Sequence, residues 1–353
     1  MSYTGPGSVV STVDEFLTHW AGVDDALDPA VLSVVVPGTS AAKTRADLVT
    51  LRTLYNAVQS APGSGPAAAP PAPQFPSVQA LRNNEETARA GAAAGRESVA
   101  EAIGAFNRKV RGSLGHTSFP NSLPDAPRGN DGNAAIIAAG DDMISVWTNI
   151  NALVAGPLFT PPLLVSVLPA GTSTPVTLSL AQATTRLTAL KNSVQEVLNA
   201  ENGLQTMRPY RDGIWENEIR PILVAYGARV RGEFPEGSAF VESLPNLYPG
   251  TGHTPDAVNA TGAWNTGTNE ADYAWSLSTD PELLRYEVRM SPGPSYDSDA
   301  SSVIGTIPAG NPLTFSTDEG LTTPGQTSSV KVYVVLTTGN EKGSNTVTIT
   351  RPV

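Results

Sequence analysis

The chain has 353 residues, with 22 Lys and Arg against 33 Asp and Glu for a net charge of −11, and it contains no cysteine. That length suits two or three domains, each able to bury a core without covalent staples. The cysteine count excludes disulfides, thiolate metal sites and a cysteine nucleophile, and the acidic balance argues against a nucleic-acid partner. Charged residues make up only 16% of the chain, whereas Gly (32) and Pro (30) are abundant, so long ordered loops are expected. The start, "MSYTGPGSVVSTVDEFL", has neither a basic n-region nor an apolar h-region. The longest apolar stretch, Pro157 to Leu168, carries three prolines and falls short of the ~20 residues a membrane span needs. These features predict a soluble protein without membrane insertion, cytoplasmic or exported by a non-Sec route.

Taken in chain order, the first three-quarters read as one unit written twice. "DEFLTHWAGVDDAL" from Asp14 aligns with "DDMISVWTNINALV" from Asp141, placing Phe16 on Met143, Trp20 on Trp147 and Val23 on Ile150. Those apolar positions form one helical face. A short β-branched run follows in each copy, "LSVVVPGTS" from Leu32 and "LLVSVLPAGTS" from Leu163. Next, Leu51, Leu54 and Val58 match Leu187, Leu190 and Val194 at helical spacing. "AFNRKVRG" then matches "AYGARVRG", with Phe106 on Tyr226, and both copies close on Ser-Leu-Pro at Ser122–Pro124 and Ser243–Pro245. Four matches in the same order indicate a duplication.

Val58 and Val110 stand 52 positions apart, Val194 and Val230 only 36. The 16-residue surplus equals Pro62 to Ser77, a Pro-rich insertion of the kind exposed tips tolerate. The expectation is therefore a helix from about Lys43 that turns back into a second from about Val78 to Arg111. In copy two the turn would fall at Asn199–Gly203, with Gly203 as a C′ glycine. A single helix from Leu180 to Arg231, kinked at Pro209, is the competing reading. The resulting organisation is a tail over 1–13, helical-bundle units over 14–128 and 129–250, and an all-β domain over 251–353. The two units could pack side by side with pseudo-twofold symmetry or follow one another along a rod.

After Pro255 the period changes to two. Tyr273, Trp275 and Leu277 alternate, as do Leu284, Tyr286, Val288 and Met290, and "VKVYVVLTTG" and "NTVTITR" add strands on either side of "NEKGS". Short alternating strands with Gly, Pro and Asn turns predict a β-sandwich. The order of a Trp-bearing strand, "STDPELLRYEVR" and "VYVVLTTGNEKGSNTVTI" resembles a fibronectin type III domain, from roughly Pro255 to Val353. The resemblance implies that Trp275 is the core tryptophan of strand B, with Tyr286 on strand C and Tyr333 on strand F. The stretch Met290–Ser302 is longer than a minimal connection between strands C and C′. In bacteria such modules serve as spacers or binding accessories, which implies no activity by itself.

A search for chemistry nominates little. His19, His116 and His253 belong to no metal-ligand pattern and read as surface residues. No nucleophile elbow or phosphate loop is present. Of the acidic pairs Asp24–Asp25, Glu85–Glu86 and Asp141–Asp142, the last precedes an apolar helical run and reads as capping. Thr279–Glu282 reads as a turn rather than a Ca²⁺ loop. Arg231–Gly232, like its twin Arg111–Gly112, reads as a helix C-cap rather than part of an adhesion tripeptide. Asn259-Ala260-Thr261 is a sequon. Trp20 and Trp147 read as equivalent core residues, and Tyr296 and Phe315 are the aromatics available for a binding face.

No residue is nominated as catalytic, cofactor-binding or metal-ligating, and no partner-contact residue is identified. The expectation is a non-enzymatic scaffold protein without cofactors that self-assembles through its duplicated units into a homo-oligomer or filament. The alternative is a protein- or polysaccharide-binding module acting through the fibronectin-like domain.

Overall fold

The computed structural model describes residues 5–28, 30–39, 41–60, 76–128, 131–156, 159–168, 173–247 and 252–353. The insertion Pro62–Ser77 lies outside the described residues except for Pro76 and Ser77. About half of the chain is helical and the C-terminal part is built of antiparallel sheets, an α+β architecture.

Each repeat opens on a helix, α1 (Pro6–Leu27) and α4 (Asn133–Asn151). The first thus starts inside the expected tail, where Pro6 occupies the first helical turn and its missing N–H costs nothing. A two-stranded hairpin follows each, β1–β2 (Val34–Val35, Ala42–Lys43) and β3–β4 (Val165–Val167, Val176–Leu178). The hairpins are tied to their helices in the same way. The Leu32 amide donates to Asp24 Oδ1 at 3.0 Å, and the Leu163 amide donates to Asn151 Oδ1 at 2.8 Å. Both hairpins then feed helices through reciprocal caps. Thr44 bonds with Asp47 at the start of α2 (Arg45–Gln59), and Ser179 bonds with Gln182 at the start of α5 (Leu180–Ile214).

Beyond this point the repeats differ. In copy one, α2 ends at Gln59 and α3 (Val78–Leu114) begins after the insertion. In copy two, α5 runs through Pro209 into a π-helical turn, Trp215–Ile219, and on into α6 (Arg220–Glu233). The expected hairpin at Asn199–Gly203 is not formed. Gly203 is helical, and a Cβ there would stand 2.7 Å from Leu81 Cδ2, so the glycine permits close approach of a neighbouring helix rather than a left-handed cap. Gly112 and Gly232 likewise lie inside the last turns of α3 and α6 rather than at C-caps.

Two compact units result: Met1–Asn83 with Asn202–Val353, and Asn84–Glu201. Each helical core combines halves of both repeats. The first joins Phe16, Trp20 and Val58 to Met207, Tyr226 and Val230; the second joins Ile103, Phe106 and Val110 to Met143, Trp147 and Leu190. Trp20 stacks on Tyr226 with centroids 4.3 Å apart, and Trp147 stacks on Phe106 at 5.1 Å. The aromatic partners are therefore exchanged: copy one's tryptophan takes copy two's tyrosine, and the reverse. Both tryptophans are fully buried. An aromatic of this kind removes on the order of 200 Å² from water, about 5 kcal/mol of transfer free energy before ordering costs. In the second unit, Gly91 and Gly95 lie one turn apart on α3, and Cβ atoms there would meet Ser193 Oγ at 2.9 Å and Leu190 Cα at 3.3 Å.

The first unit also contains a short helix, α7 (Ala239–Glu242), and eight strands. β5 (Ala260–Asn265), β6 (Glu270–Trp275) and β9 (Thr314–Thr317) form one antiparallel sheet in the order β5-β6-β9. β7 (Leu283–Pro292), β8 (Ser302–Pro308), β10 (Thr327–Leu336) and β11 (Glu341–Gly343) form another in the order β11-β10-β7-β8, and β12 (Val347–Thr350) also pairs with β10. Their inner faces share a core in which Tyr273, Trp275, Tyr286, Val288 and Val332 meet. Leu277 and Leu284, expected on those faces, are exposed: the first lies past the end of β6, the second near the start of β7. Tyr333 points out of the opposite face, where the Arg289 guanidinium lies 4.0 Å over its ring.

Candidate functional site

Polar chemistry concentrates where α1 meets the sandwich. Alternation along β7 turns Tyr286, Val288 and Met290 inward and Arg285, Glu287 and Arg289 outward. An outward face should be solvated, yet Glu287 and Arg289 are completely buried. Arg289 Nη2 donates to Glu287 Oε2 at 2.6 Å and Nη1 to Glu341 Oε1 at 3.0 Å, while Arg285 Nε donates to Glu287 Oε1 at 2.8 Å. From α1, Ser11 Oγ donates to Glu287 Oε1 at 2.7 Å and Glu15 Oε1 accepts from Arg285 Nη1 at 2.8 Å. Gly7 makes the approach possible, since a Cβ would stand 2.9 Å from Arg289 Nε. Burial pushes the Glu287 carboxyl up, but the Arg289 and Arg285 guanidiniums reverse this and hold it below the usual range. At Glu341 burial outweighs Arg289, and its carboxyl lies above that range. Breaking such a buried pair from one side leaves a charge uncompensated.

The long connection between β7 and β8 forms the second contact. Its 3₁₀ turn, Ser298–Ala300, sets Ala300 into the helical core with no exposure. Gln59 Nε2 donates to the carbonyls of Asp299 (3.2 Å) and Ser301 (2.8 Å), and Arg211 Nη1 donates to Asp299 O at 2.6 Å and Gln59 Oε1 at 2.8 Å. Arg208 Nη2 bonds Asp297 at 2.8 Å. The surplus length between Met290 and Ser302 was legible in the sequence; its docking role was not.

Beside these contacts a cleft of about 920 Å³ opens between α1, residues 242–247 and the β7–β10–β11 side of the sandwich. His19 lines it, half-buried. Its Nε2 lies 2.9 Å from the Phe240 carbonyl, which can only accept, so Nε2 carries the proton and Tyr226 Oη donates to Nδ1 at 2.6 Å. Burial lowers the imidazole pKa, partly offset by the Phe240 carbonyl. His19 is thus a bonded junction residue rather than a solvated one.

The remaining nominated residues do not converge. His116 is exposed beyond α3. His253 is exposed and bonds Asp280 Oδ2 at 2.5 Å, within the turn expected at Thr279–Glu282. Asp141 and Asp142 lie in the middle of α4, not at its N-terminus, and Asp141 pairs with Lys191 at 2.7 Å, so they do not cap. Asp24 binds Arg45 in addition to its hairpin amide, and Asp25 is exposed. Glu85 pairs with Arg89 within α3, where Glu86 is the next residue. Asn259 is exposed just before β5. Tyr296 is half-buried with Lys331 5.3 Å from its ring centroid, and Phe315 packs against the sandwich core, so the two form no exposed aromatic face. Among the described residues there is no cluster of three or more groups able to hold a metal ion, and no helix is long and apolar enough to cross a membrane.

No family model and no curated protein matches the chain. Among solved structures, a pectate lyase from Erwinia chrysanthemi in complex with tetragalacturonic acid is 22% identical over 26% of this chain and 28% of its own, with a TM-score of 0.23. An Fn3-like protein from Clostridium thermocellum is 16% identical over 29% of this chain and 97% of its own, with a TM-score of 0.23. A myokine structure is 13% identical over 30% of this chain and 100% of its own, with a TM-score of 0.22. The chain spans little more than a quarter of the length of that pectate lyase.

Proposed function

We propose that this chain is a non-enzymatic scaffold protein whose copies associate, with two exchanged helical repeats supporting a fibronectin type III-like sandwich. The observation that carries this reading is the use of the polar groups at the junction. Glu287 and Arg289, fully buried, neutralise each other, and the carboxylates of Asp14 and Glu15 are held by Arg52 and Arg285. A catalytic cleft needs a titratable group left poised toward substrate; here Glu287 is engaged within β7, Asp14 between α1 and α2, and Glu15 between α1 and β7. The exchange of repeat halves supports a structural role, because neither helical core can open without withdrawing a segment of the other repeat. Tandem copies of one fold also present related surfaces twice, which suits head-to-tail association.

Light scattering on a size-exclusion column over a wide concentration range, with negative-stain images of the largest species, tests the reading. Mass that grows with concentration, or regular oligomers, is expected. A monomer at every concentration would remove self-association and leave a binding module as the next reading.

A further inference from the structure

We propose that the segment Thr338 to Gly343, which carries β11, is an acid-closed flap on the cleft: it holds shut at low pH and loosens as the Glu341 carboxyl ionises. The device goes beyond the scaffold reading and does not depend on it.

The first argument is a row of alternating charges. Glu15, Arg285, Glu287, Arg289 and Glu341 are bonded in that order, from α1 across β7 to β11. Three carboxylates thus share two guanidiniums, and the row ends on a carboxylate at each side. The Glu15 side chain is 41% exposed and water screens it, whereas that of Glu341 is 8% exposed. Excess negative charge away from water is relieved in two ways, by taking up a proton or by moving into solvent. Without Glu341 the row is balanced, and Arg289 keeps its bonds to Glu287 from Nε at 3.1 Å and Nη2 at 2.6 Å. Withdrawing Glu341 therefore leaves no guanidinium uncompensated.

The second argument is how the segment is held. β11 has three residues and, among the described residues, pairs only with β10, through Val335–Glu341, Val334–Lys342 and Tyr333–Gly343. Both ends are anchored. Leu336 is fully buried in the sandwich core and the Thr337 amide donates to the Glu282 carbonyl at 2.9 Å. Ser344 bonds the backbone of Val332 at 2.9 and 3.0 Å, and Asn345 bonds that of Ala260 at 2.8 and 2.9 Å. Between the anchors no described residue belongs to the sandwich core, and the chain reverses at Gly339, whose φ of 81° suits glycine. A segment with so little apolar burial opens by itself at low cost. Thr338 to Glu341 line the cleft of about 920 Å³, so their displacement widens it.

The direction with pH follows from the same geometry. In the shut flap, burial outweighs Arg289 and holds the Glu341 carboxyl above its ordinary value of 4.5; in the open flap water surrounds it. Closing therefore takes up a proton. The shut form is most favoured below the ordinary value, weakens as pH rises from there to the shut-state pKa, and is level above it. Arg289, Glu287 and Arg285 of β7 and the Tyr333 ring of β10 stand around this site. Asp14, Glu15 and His19 of α1 and Glu242 line the same cleft. Lys342, next in β11, is exposed, and His253 bonds Asp280 in the turn whose Glu282 anchors Thr337. The two histidines are the neighbours that ordinarily titrate just above the carboxylates, and each can be removed separately.

Amide exchange from about pH 4 to about pH 8, read as protection factors so that the intrinsic pH dependence of exchange is removed, tests this. Protection of residues 340–343 should fall by up to about tenfold per pH unit above the ordinary glutamate value, the slope of one proton, and then level off. Residues 286–290 of β7 should not follow it. Glu341→Gln should keep residues 340–343 at the protection the wild type shows in acid, without a slope, whereas His19→Gln and His253→Gln retain the slope. A flat or rising wild-type profile overturns the proposal, as does a slope that survives Glu341→Gln or vanishes with either histidine. Lower protection in Glu341→Gln at every pH also overturns it, because the ionised bridge to Arg289 would then be what holds the flap. Circular dichroism checks folding, and if Glu341→Gln does not fold, the wild-type profile and the two histidine variants decide.

Discussion

The two helical cores are one design with two endings. Phe16, Trp20 and Val23 recur as Met143, Trp147 and Ile150, all buried. Around them the polar details diverge. Trp147 Nε1 donates to the Leu163 carbonyl at 3.1 Å, whereas Trp20 Nε1 is buried without a hydrogen-bond partner among the described residues. His19 and Tyr226 share a hydrogen bond where the second core has Val146 and Phe106. On α1, Gly7 is buried and Ser8, Ser11 and Glu15 are half-buried, whereas the corresponding Ala134, Ala135, Ala138 and Asp142 of α4 are exposed. The two cores share what burial demands and differ at the surface, because a core tolerates few volume changes whereas a solvent face tolerates many.

The largest effect that tests this comparison is truncation of either tryptophan. Trp20→Ala and Trp147→Ala should each cost about 3–5 kcal/mol in denaturant unfolding. Exchange makes the location of the damage diagnostic. Hydrogen exchange in Trp20→Ala should rise across residues 204–230, from the other repeat, and spare residues 92–114; Trp147→Ala should do the reverse. Damage confined to the mutated repeat would contradict the exchanged cores.

Arg289→Ala comes next, at about 3 kcal/mol, because Glu287 would be left charged and buried. Among the described residues α4 makes the exposed Asp141–Lys191 pair rather than a buried ionic layer, so the loss should appear in the first unit's unfolding transition alone. Tyr226→Phe makes the first core resemble the second and removes one hydrogen bond to His19, for about 1 kcal/mol. Loss of several kcal/mol there would mean that the tyrosine hydroxyl supports more than His19.

The smallest effects are with pH, and the two bonded histidines should oppose each other. The His19 pKa is lowered by burial, so the unfolded chain takes up its proton first. Stability is full above about 6.5, the ordinary value, and is lost as pH falls toward the folded pKa. His253 is raised by its hydrogen bond to Asp280, so its contribution is full below that ordinary value and is lost as pH rises through the folded pKa. His19→Gln should flatten the acid side of a stability–pH curve, and His253→Gln the side above it. An unchanged acid limb in His19→Gln would show that His19 is not the group responsible.

How much of this was legible depended on whether a feature is local. Helical spacing from Asp14 to Val23 and strand alternation from Leu284 to Met290 are set by side chains within a turn or two, and they place α1, α4 and most of β7. Gly203 misled because glycine serves two ends, a left-handed cap or close approach to a neighbour, and only the position of Leu81 distinguishes them. The junction was hidden for a similar reason: Arg285, Glu287 and Arg289 alternate like any solvated strand face, and nothing local says that a helix 270 positions earlier in the chain, bonded through Glu15, covers them.

The sequence by itself determined the helical spacing of α1 and α4, the aromatic residues of each core and the change to β structure after Pro255. Only the tertiary structure decided which aromatic meets which. Trp20 could stack on Phe106 or Tyr226 with the same periodicity, since both positions carry an aromatic of similar shape. Helix continuity settles the choice. From Leu180 to Glu233 the chain is helical throughout, 35, 5 and 14 residues in succession. An unbroken helix cannot turn back on itself: its first part, with Leu187 and Leu190, packs in the core of Trp147, and its last part, with Tyr226 and Val230, packs in the core of Trp20.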